Sequence, residues 1–335
     1  MNYEIPFHPG SISDSTFLVT GGAGFIGSHI VEYLLAQGVG KVRILDNLAT
    51  GRMSNIEAFL EDPRAELVEG DIRDAAICAK ACEGIDFVSH QAAMGSVPRS
   101  IKDPITTNDV NLGGFVNVIT AAKNAGVKRI VYASSSSVYG DAPQLPKYEE
   151  NVGSPLSPYA VSKKGNELYA AVFRVSYDLE IVGLRYFNIF GPRQDPNGPY
   201  AAVIPRFLDR LMRGETVFID GDGEQSRDFT FVENAVQANI RALTMSKPEA
   251  FGEVHNIAFG ERFTINQLYQ SLAEAVGSDK AAEHRDPRAG DVRHSLASIE
   301  KASANFGYAP RLSMAEGLKI TVDYFKQETA AGRPI

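Results

Sequence analysis

The chain has 335 residues, 44% of them hydrophobic and 22% charged, and 33 Lys plus Arg against 41 Asp plus Glu leave a formal charge of −8. Mild acidity argues against a nucleic-acid binder, no apolar run approaches the roughly 18 residues of a membrane span, and MNYEIPFHPG lacks the basic-then-apolar pattern of a secretory signal. Cysteine supplies only Cys78 and Cys82, whose i,i+4 spacing predicts neighbouring thiols on a helix rather than a disulfide framework, in a reducing compartment such as the cytoplasm.

Residues 1–14 read as a flexible or surface-draped extension. STFLVT (15–20) then has a buried-strand pattern, followed by glycines and a helix from Phe25 to about Gln37, with Ile26, Ile30, Leu34 and Leu35 at helical spacing. KVRILD (41–46), AELVEGD (65–71), IDFVSH (85–90) and RIVYASS (129–135) are further strands, with a helix at about 107–124 between the last two. A helix over 159–177 and a strand LEIVGLRYF (179–187) follow. This alternation predicts an α/β fold with a doubly wound parallel sheet. Past Asn188 proline, glycine and arginine rise, which predicts a smaller C-terminal lobe. The expected division is 1–189 for the sheet domain, with 229–260 returning to it, and 190–228 plus 261–335 for the lobe.

Thr20-Gly-Gly-Ala-Gly-Phe-Ile-Gly27 links the first strand to the first helix. Its glycines, Gly21, Gly24 and Gly27, allow a tight turn, close approach of backbone N–H groups to a pyrophosphate, and packing of helix on strand. A phosphate-binding loop of the Walker type is excluded, because Ser28 stands where that loop needs lysine. Asp46 ends the second strand, 19 residues after Gly27. A carboxylate there accepts from adenosine ribose hydroxyls and repels a 2′-phosphate, so NAD is expected over NADP, with nearby Arg52 the one contrary sign. Asp71-Ile72 ends the third strand, where it reads equally as an adenine contact or a turn.

Tyr159-Ala-Val-Ser-Lys163 puts phenol and ammonium on one helix face. The lysine, with a positive nicotinamide ring, is expected to pull the phenol from about 10 toward neutrality. Ser134 to Ser137 close the preceding strand and offer a hydroxyl to share a reacting proton. His8, His29, His90, His255, His284 and His294 show no metal-ligand spacing, so no metal is expected; His90 is placed to meet backbone or nicotinamide.

With TGGAGFIG, SSSSVYG, YAVSK and RYFNIFGP, the sequence resembles the extended short-chain dehydrogenase/reductases from about Phe17 to the C-terminal end. Within them it is most similar to nucleotide-sugar 4-epimerases, particularly bacterial UDP-N-acetylglucosamine 4-epimerases, through QAAMGSVPRSIKDPITTN (91–108), FGPRQDPNGPYAAVIP (190–205) and RAGDVRHS (288–295). The resemblance implies a Rossmann fold, a homodimer built on helices near 107–124 and 159–177, and inversion at sugar C4 through a 4-keto intermediate. It assigns catalysis to Ser135, Tyr159 and Lys163. It assigns NAD binding to Gly21, Gly24, Phe25, Ile26, Gly27, Asp46, Asn47, Asp71, Ile72, Gln91, Ala92 and Ala93, with Tyr159 and Lys163. For the UDP-sugar it implies Gly95, Ser96, Ser135, Ser136, Ser137, Asn188, Gln194, Ala202, Val203, Ile204, Arg227, Arg288, Asp291 and Ser295. Arg227 and Arg288 hold the diphosphate in that pattern, and Asp291 takes the uridine ribose. Small Ser295 admits a C2 acetamido group where tyrosine excludes it. Related dehydratases and decarboxylases carry an acid in the serine segment, and positions 135–137 here are all serine. UDP-glucose/galactose and N-acetylated uronic forms stay open as substrates, the latter with Arg99 or Arg193 as the extra cation. A binding protein that lost the chemistry is the distant rival.

Overall fold

β-branched and aromatic runs bounded by glycine and acidic turns form strands in the N-terminal half, and amphipathic stretches between them form the covering helices. A computed structural model describes residues 1, 3–196, 202–287 and 293–332. The strands are β1 (Thr16–Thr20), β2 (Lys41–Asp46), β3 (Ala65–Glu69), β4 (Phe87–His90), β5 (Arg129–Ser135) and β6 (Ile181–Tyr186). A further strand, Val254–Ile257, pairs with β6, and the sheet runs Val254–Ile257, β6, β5, β4, β1, β2, β3. Every pairing in it is parallel, as expected for a doubly wound Rossmann sheet. The chain builds outward from β1 through β2 to β3, then crosses back to place β4 on the other side of β1. That reversal opens a crevice beyond the carboxyl ends of β1 and β4.

Six helices accompany these strands: α1 (Phe25–Ala36), α2 (Ala75–Cys82), α3 (Val97–Lys102), α4 (Pro104–Asn108), α5 (Phe115–Asn124) and α6 (Pro158–Tyr177). Alternation along β1 sends Phe17 and Val19 into a core with Ile30, Val31 and Leu34 of α1, and Leu18 into a second core with Phe115 and Ile119 of α5. Cys78 and Cys82 lie buried and free on α2, where burial pushes both thiols up to about 12. A third core, around Phe207, Phe231, Leu268 and Phe325, joins α7 (Val203–Met212) to α9 (Ile265–Val276) and α11 (Met314–Ala330). Between these lie α8 (Val232–Met245), packed on α1, and α10 (Glu300–Phe306). No helix among the described residues is long and apolar enough to cross a membrane.

One expectation needs refinement and one correction. The helix expected over 107–124 is present but not uniformly α: Asp109–Gly114 forms a π turn between α4 and α5, with right-handed helical backbone at both junctions. A π turn adds one residue per turn without changing which residue types are apolar, so periodicity does not report it. Nor does the N-terminal segment drape loosely. Tyr3, Phe7 and Ile12 are buried, and the Phe7 ring stacks on Tyr33 of α1 at 5.0 Å between centroids. Isolated aromatics in a polar stretch make no periodic signal, yet each buries a large apolar area.

Candidate active site

A cleft of about 1140 Å³ occupies the crevice. Gly21 opens the turn after β1 at φ 68°, and a Cβ there would lie 2.7 Å from the Ala92 nitrogen. A Cβ on Gly27 would lie 2.2 Å from the Gly21 carbonyl oxygen, so glycine lets α1 start directly against the turn. Asp46 accepts from the Ala23 N–H at 3.0 Å and the Leu48 N–H at 2.8 Å, and burial raises its carboxyl despite those bonds. One carboxylate therefore shapes the glycine turn and faces the cleft. Arg52 turns away to pair with Asp195 at 2.7 Å, leaving Asp46 as the charge at that spot. Asp71 is held by Arg73 and by Asn47 Nδ2, and their hydrogen bonds keep its carboxyl down at about 2. Gly24, Phe25, Ile26, Ile72, Gln91, Ala92 and Ala93 also line the cleft. Gln91 is locked between Tyr186 and Asn239, at 3.0 and 2.9 Å. His90 bonds Thr20 Oγ1 at 2.8 Å, and burial pushes its imidazole down to about 3.

α6 begins on a Ser157 cap, whose side chain accepts from the Ala160 N–H, with Pro158 in the first turn. Tyr159 is thus the second helical residue, where the helix dipole favours a phenolate. Burial raises the phenol, and only an interaction with the Ser135 hydroxyl pulls it back. The Lys163 ammonium donates to the Ala133 carbonyl at 2.8 Å and sits 6.0 Å from the Tyr159 ring centroid. Burial lowers that ammonium to about 8. Desolvation is the leading cause for both groups. Ser135 Oγ accepts from the Ser137 N–H at 3.1 Å, and Ser135, Ser136 and Ser137 all line the cleft.

Gly95, Ser96, Asn188, Gln194, Ala202, Arg227 and Ser295 line the other end. Ser96 caps α3 at φ 121°, a strained backbone for a residue with a side chain. Asn188 Nδ2 donates to the Asp228 carbonyl at 3.0 Å, and Gln194 Nε2 to the Ile189 carbonyl at 3.2 Å. Val203 and Ile204 do not line the cleft; both pack into the third core, Ile204 fully buried. Arg288 and Asp291 lie outside the described residues.

Residues 17–258 match the model of the NAD dependent epimerase/dehydratase family. The chain belongs to that family. It is 38% identical to the UDP-glucose 4-epimerase of Mycolicibacterium smegmatis, over 93% of this chain and 99% of that one. Among solved structures it resembles the UDP-N-acetylglucosamine 4-epimerase of Methanobrevibacter ruminantium in complex with UDP-N-acetylmuramic acid. That match has a TM-score of 0.88 and 40% identity, covering 94% and 99% of the two chains. It also resembles the Thermus thermophilus UDP-glucose 4-epimerase complex with NAD, with a TM-score of 0.82 and 39% identity over 93% and 99%.

NAD is the cofactor of this epimerase/dehydratase family member. The cleft fits it, since the cradle at Gly21 and Gly27 would be filled by any Cβ and Asp46 stands at the end of β2. No group of three His, Cys, Asp or Glu among the described residues could hold a metal ion. Arg99, the cation expected for a uronic substrate, lines the cleft as well, whereas sequence reasoning missed several wall residues, among them Thr106, Lys147 and His294. It also missed Asn111 in the π turn. Asn111 Oδ1 accepts from the Met94 N–H at 2.7 Å, while its Nδ2 reaches Ser162 Oγ at 3.2 Å, so it ties the Gly95-Ser96 loop to α6. A π turn often marks such a site, but no side-chain pattern announces it.

Proposed function

We propose that this protein is a UDP-sugar 4-epimerase that interconverts UDP-N-acetylglucosamine and UDP-N-acetylgalactosamine. The observation that carries the reading is one cleft lined by the glycine turn, Asp46, the Ser135-Tyr159-Lys163 group and small Ser295. The curated and structural relatives named as UDP-glucose and UDP-N-acetylglucosamine 4-epimerases support it. NAD supplies the hydride acceptor and donor at sugar C4. Tyr159 takes the O4 proton and returns it, Ser135 hydrogen-bonds O4, and Lys163 stabilises the phenolate. Arg227, with Arg288, neutralises the diphosphate, Asp291 takes the uridine ribose, and Asn188 and Gln194 orient the sugar. The 4-keto sugar then turns about its diphosphate bonds to present its other face. With serine at 135–137, the segment has no acid to eliminate water.

Ser295 carries the choice of sugar. Ser295→Tyr is expected to lower kcat/KM for UDP-N-acetylglucosamine about a hundredfold while holding UDP-glucose within about fivefold. Equal losses on both sugars would contradict gating by Ser295. The uronic form is the second reading, favoured by Arg99 in the cleft wall. Arg193 gives it no support, being held instead by Glu32 and His29.

The homodimer is part of this proposal. Val161, Leu168, Val172 and Val175 form one exposed apolar stripe on α6, beside exposed Ile101 and Ile105 on α3 and α4. A stripe of this size on a helix that also carries catalytic residues fits a second copy of the chain. Leu168→Glu with Val172→Glu is expected to halve the mass seen by sedimentation. An unchanged mass would reject this interface.

A further inference from the structure

Asp228 follows Arg227 and is fully buried. Its Oδ1 accepts from the Phe259 and Gly260 N–H groups, both at 3.2 Å, and its Oδ2 from the Ala297 N–H at 3.2 Å. Its backbone carbonyl accepts from Asn188 Nδ2. Ala297 lies two residues beyond Ser295, on a segment threaded between two neighbours. On one side Ser226 pairs with Arg293 and Ser295 through backbone bonds of 2.9 and 3.0 Å. On the other, Lys147 pairs with Leu296 and Ser298 at 2.7 and 3.0 Å, and Asn256 Nδ2 reaches the Ser298 carbonyl at 3.1 Å. Asp228 is the member of this set that carries an ionisable acceptor, and it joins the segment to the turn that follows the strand Val254–Ile257.

We infer that Asp228 is a positioning residue for the sugar end of the cleft, its ionised carboxylate clamping the Ser295 segment against the Phe259–Gly260 turn. The inference rests on the reading of Ser295 as the sugar gate. Three N–H donors converge on the two oxygens, so protonation turns charge-assisted bonds into weaker neutral ones and loosens the clamp. Burial pushes this carboxyl up to about 7, against the three backbone bonds, and repulsion from Glu261 adds to the rise. The other ionisable groups nearby are engaged elsewhere. The Tyr308 hydroxyl donates to the Ala258 carbonyl at 2.9 Å, His294 Nδ1 meets Ser226 Oγ at 2.9 Å, and Arg227 Nη1 donates to the Ser226 carbonyl at 3.0 Å. Lys147 Nζ donates to the Ala142 carbonyl.

The sign of the pH effect separates clamp from fold. A carboxyl raised on folding stabilises the folded state most at low pH, and that contribution is lost as pH rises through about 7. Acid therefore opens the clamp locally without unfolding the protein through this group. In the NAD-loaded enzyme, KM for UDP-N-acetylglucosamine is expected to rise about tenfold from pH 8 to pH 6, with kcat changing less. Asp228→Asn, which puts an amide N–H where an acceptor is needed, is expected to show the raised KM at pH 8 and no further step. Comparing the two removes the parallel titration of Lys163. Hydrogen exchange at the 293–298 amides, corrected for intrinsic rate and measured without UDP-sugar, is expected to be faster at pH 6 than at pH 8 in the wild type. Equal protection at both pH values, or an Asn variant that keeps the wild-type step, would overturn the clamp. The exchange result stands even if the variant does not fold or another sugar proves to be the substrate.

Discussion

Tyr159→Phe is expected to lower kcat about a thousandfold while the dissociation constant for the UDP-sugar stays within about threefold. The change removes one oxygen from a ring at the start of α6 and leaves the ring in place. That oxygen is the proposed proton acceptor at O4, and its environment sets a clear demand. Burial holds the phenol up, opposed by the Ser135 hydroxyl. The remaining help comes from the N-terminus of α6 and from the positive charges of Lys163 and bound NAD. Turnover by NMR and binding by calorimetry, on the same NAD-loaded preparation, separate the two roles. Lost binding with the fold intact would make Tyr159 a binding contact instead.

Arg185→Met is expected to cost about 3–5 kcal/mol of stability, read by denaturant unfolding. Arg185 lies on β6, is 1% exposed, and makes a two-pronged pair with Glu167 of α6 at 2.8 and 2.9 Å. It also donates to the Glu149 carbonyl at 2.8 Å and lies 4.8 Å from the Tyr139 ring centroid. Glu167 in turn accepts from Ser134 Oγ at 2.8 Å. Burial raises the Glu167 carboxyl, but the Arg185 bonds overcome it and keep it below its ordinary value. Without the guanidinium, Glu167 is a buried charge with only half-exposed Lys164 beside it, at 3.2 Å. Adding Glu167→Leu is expected to recover at least half of the loss, because both charges are then gone. A single variant within about 1 kcal/mol of wild type would show that the pair contributes little.

The local parts of this site were legible in the sequence. A glycine turn between strand and helix, an acid at the end of β2, and a tyrosine and lysine one helical turn apart are each contained in a few consecutive residues. What escaped depends on residues distant in sequence. Arg185 sits in LEIVGLRYF, and nothing in that run names Glu167 as its partner across the α6–β6 contact. A charge inside a run flanked by strands on both sides was nevertheless a signal, since such a residue must be buried with a counter-charge. Asn111 was hidden by the π turn, and His294 by its place in a segment with no regular period.

The most direct measurement is the C4 configuration, read by NMR, of UDP-N-acetylglucosamine incubated with the purified NAD-loaded protein. An equilibrium mixture of the gluco and galacto epimers, with the NAD unchanged at the end, is the expected result. No interconversion by folded protein with NAD bound would contradict the epimerase reading, and interconversion of UDP-glucose alone would contradict the choice of sugar.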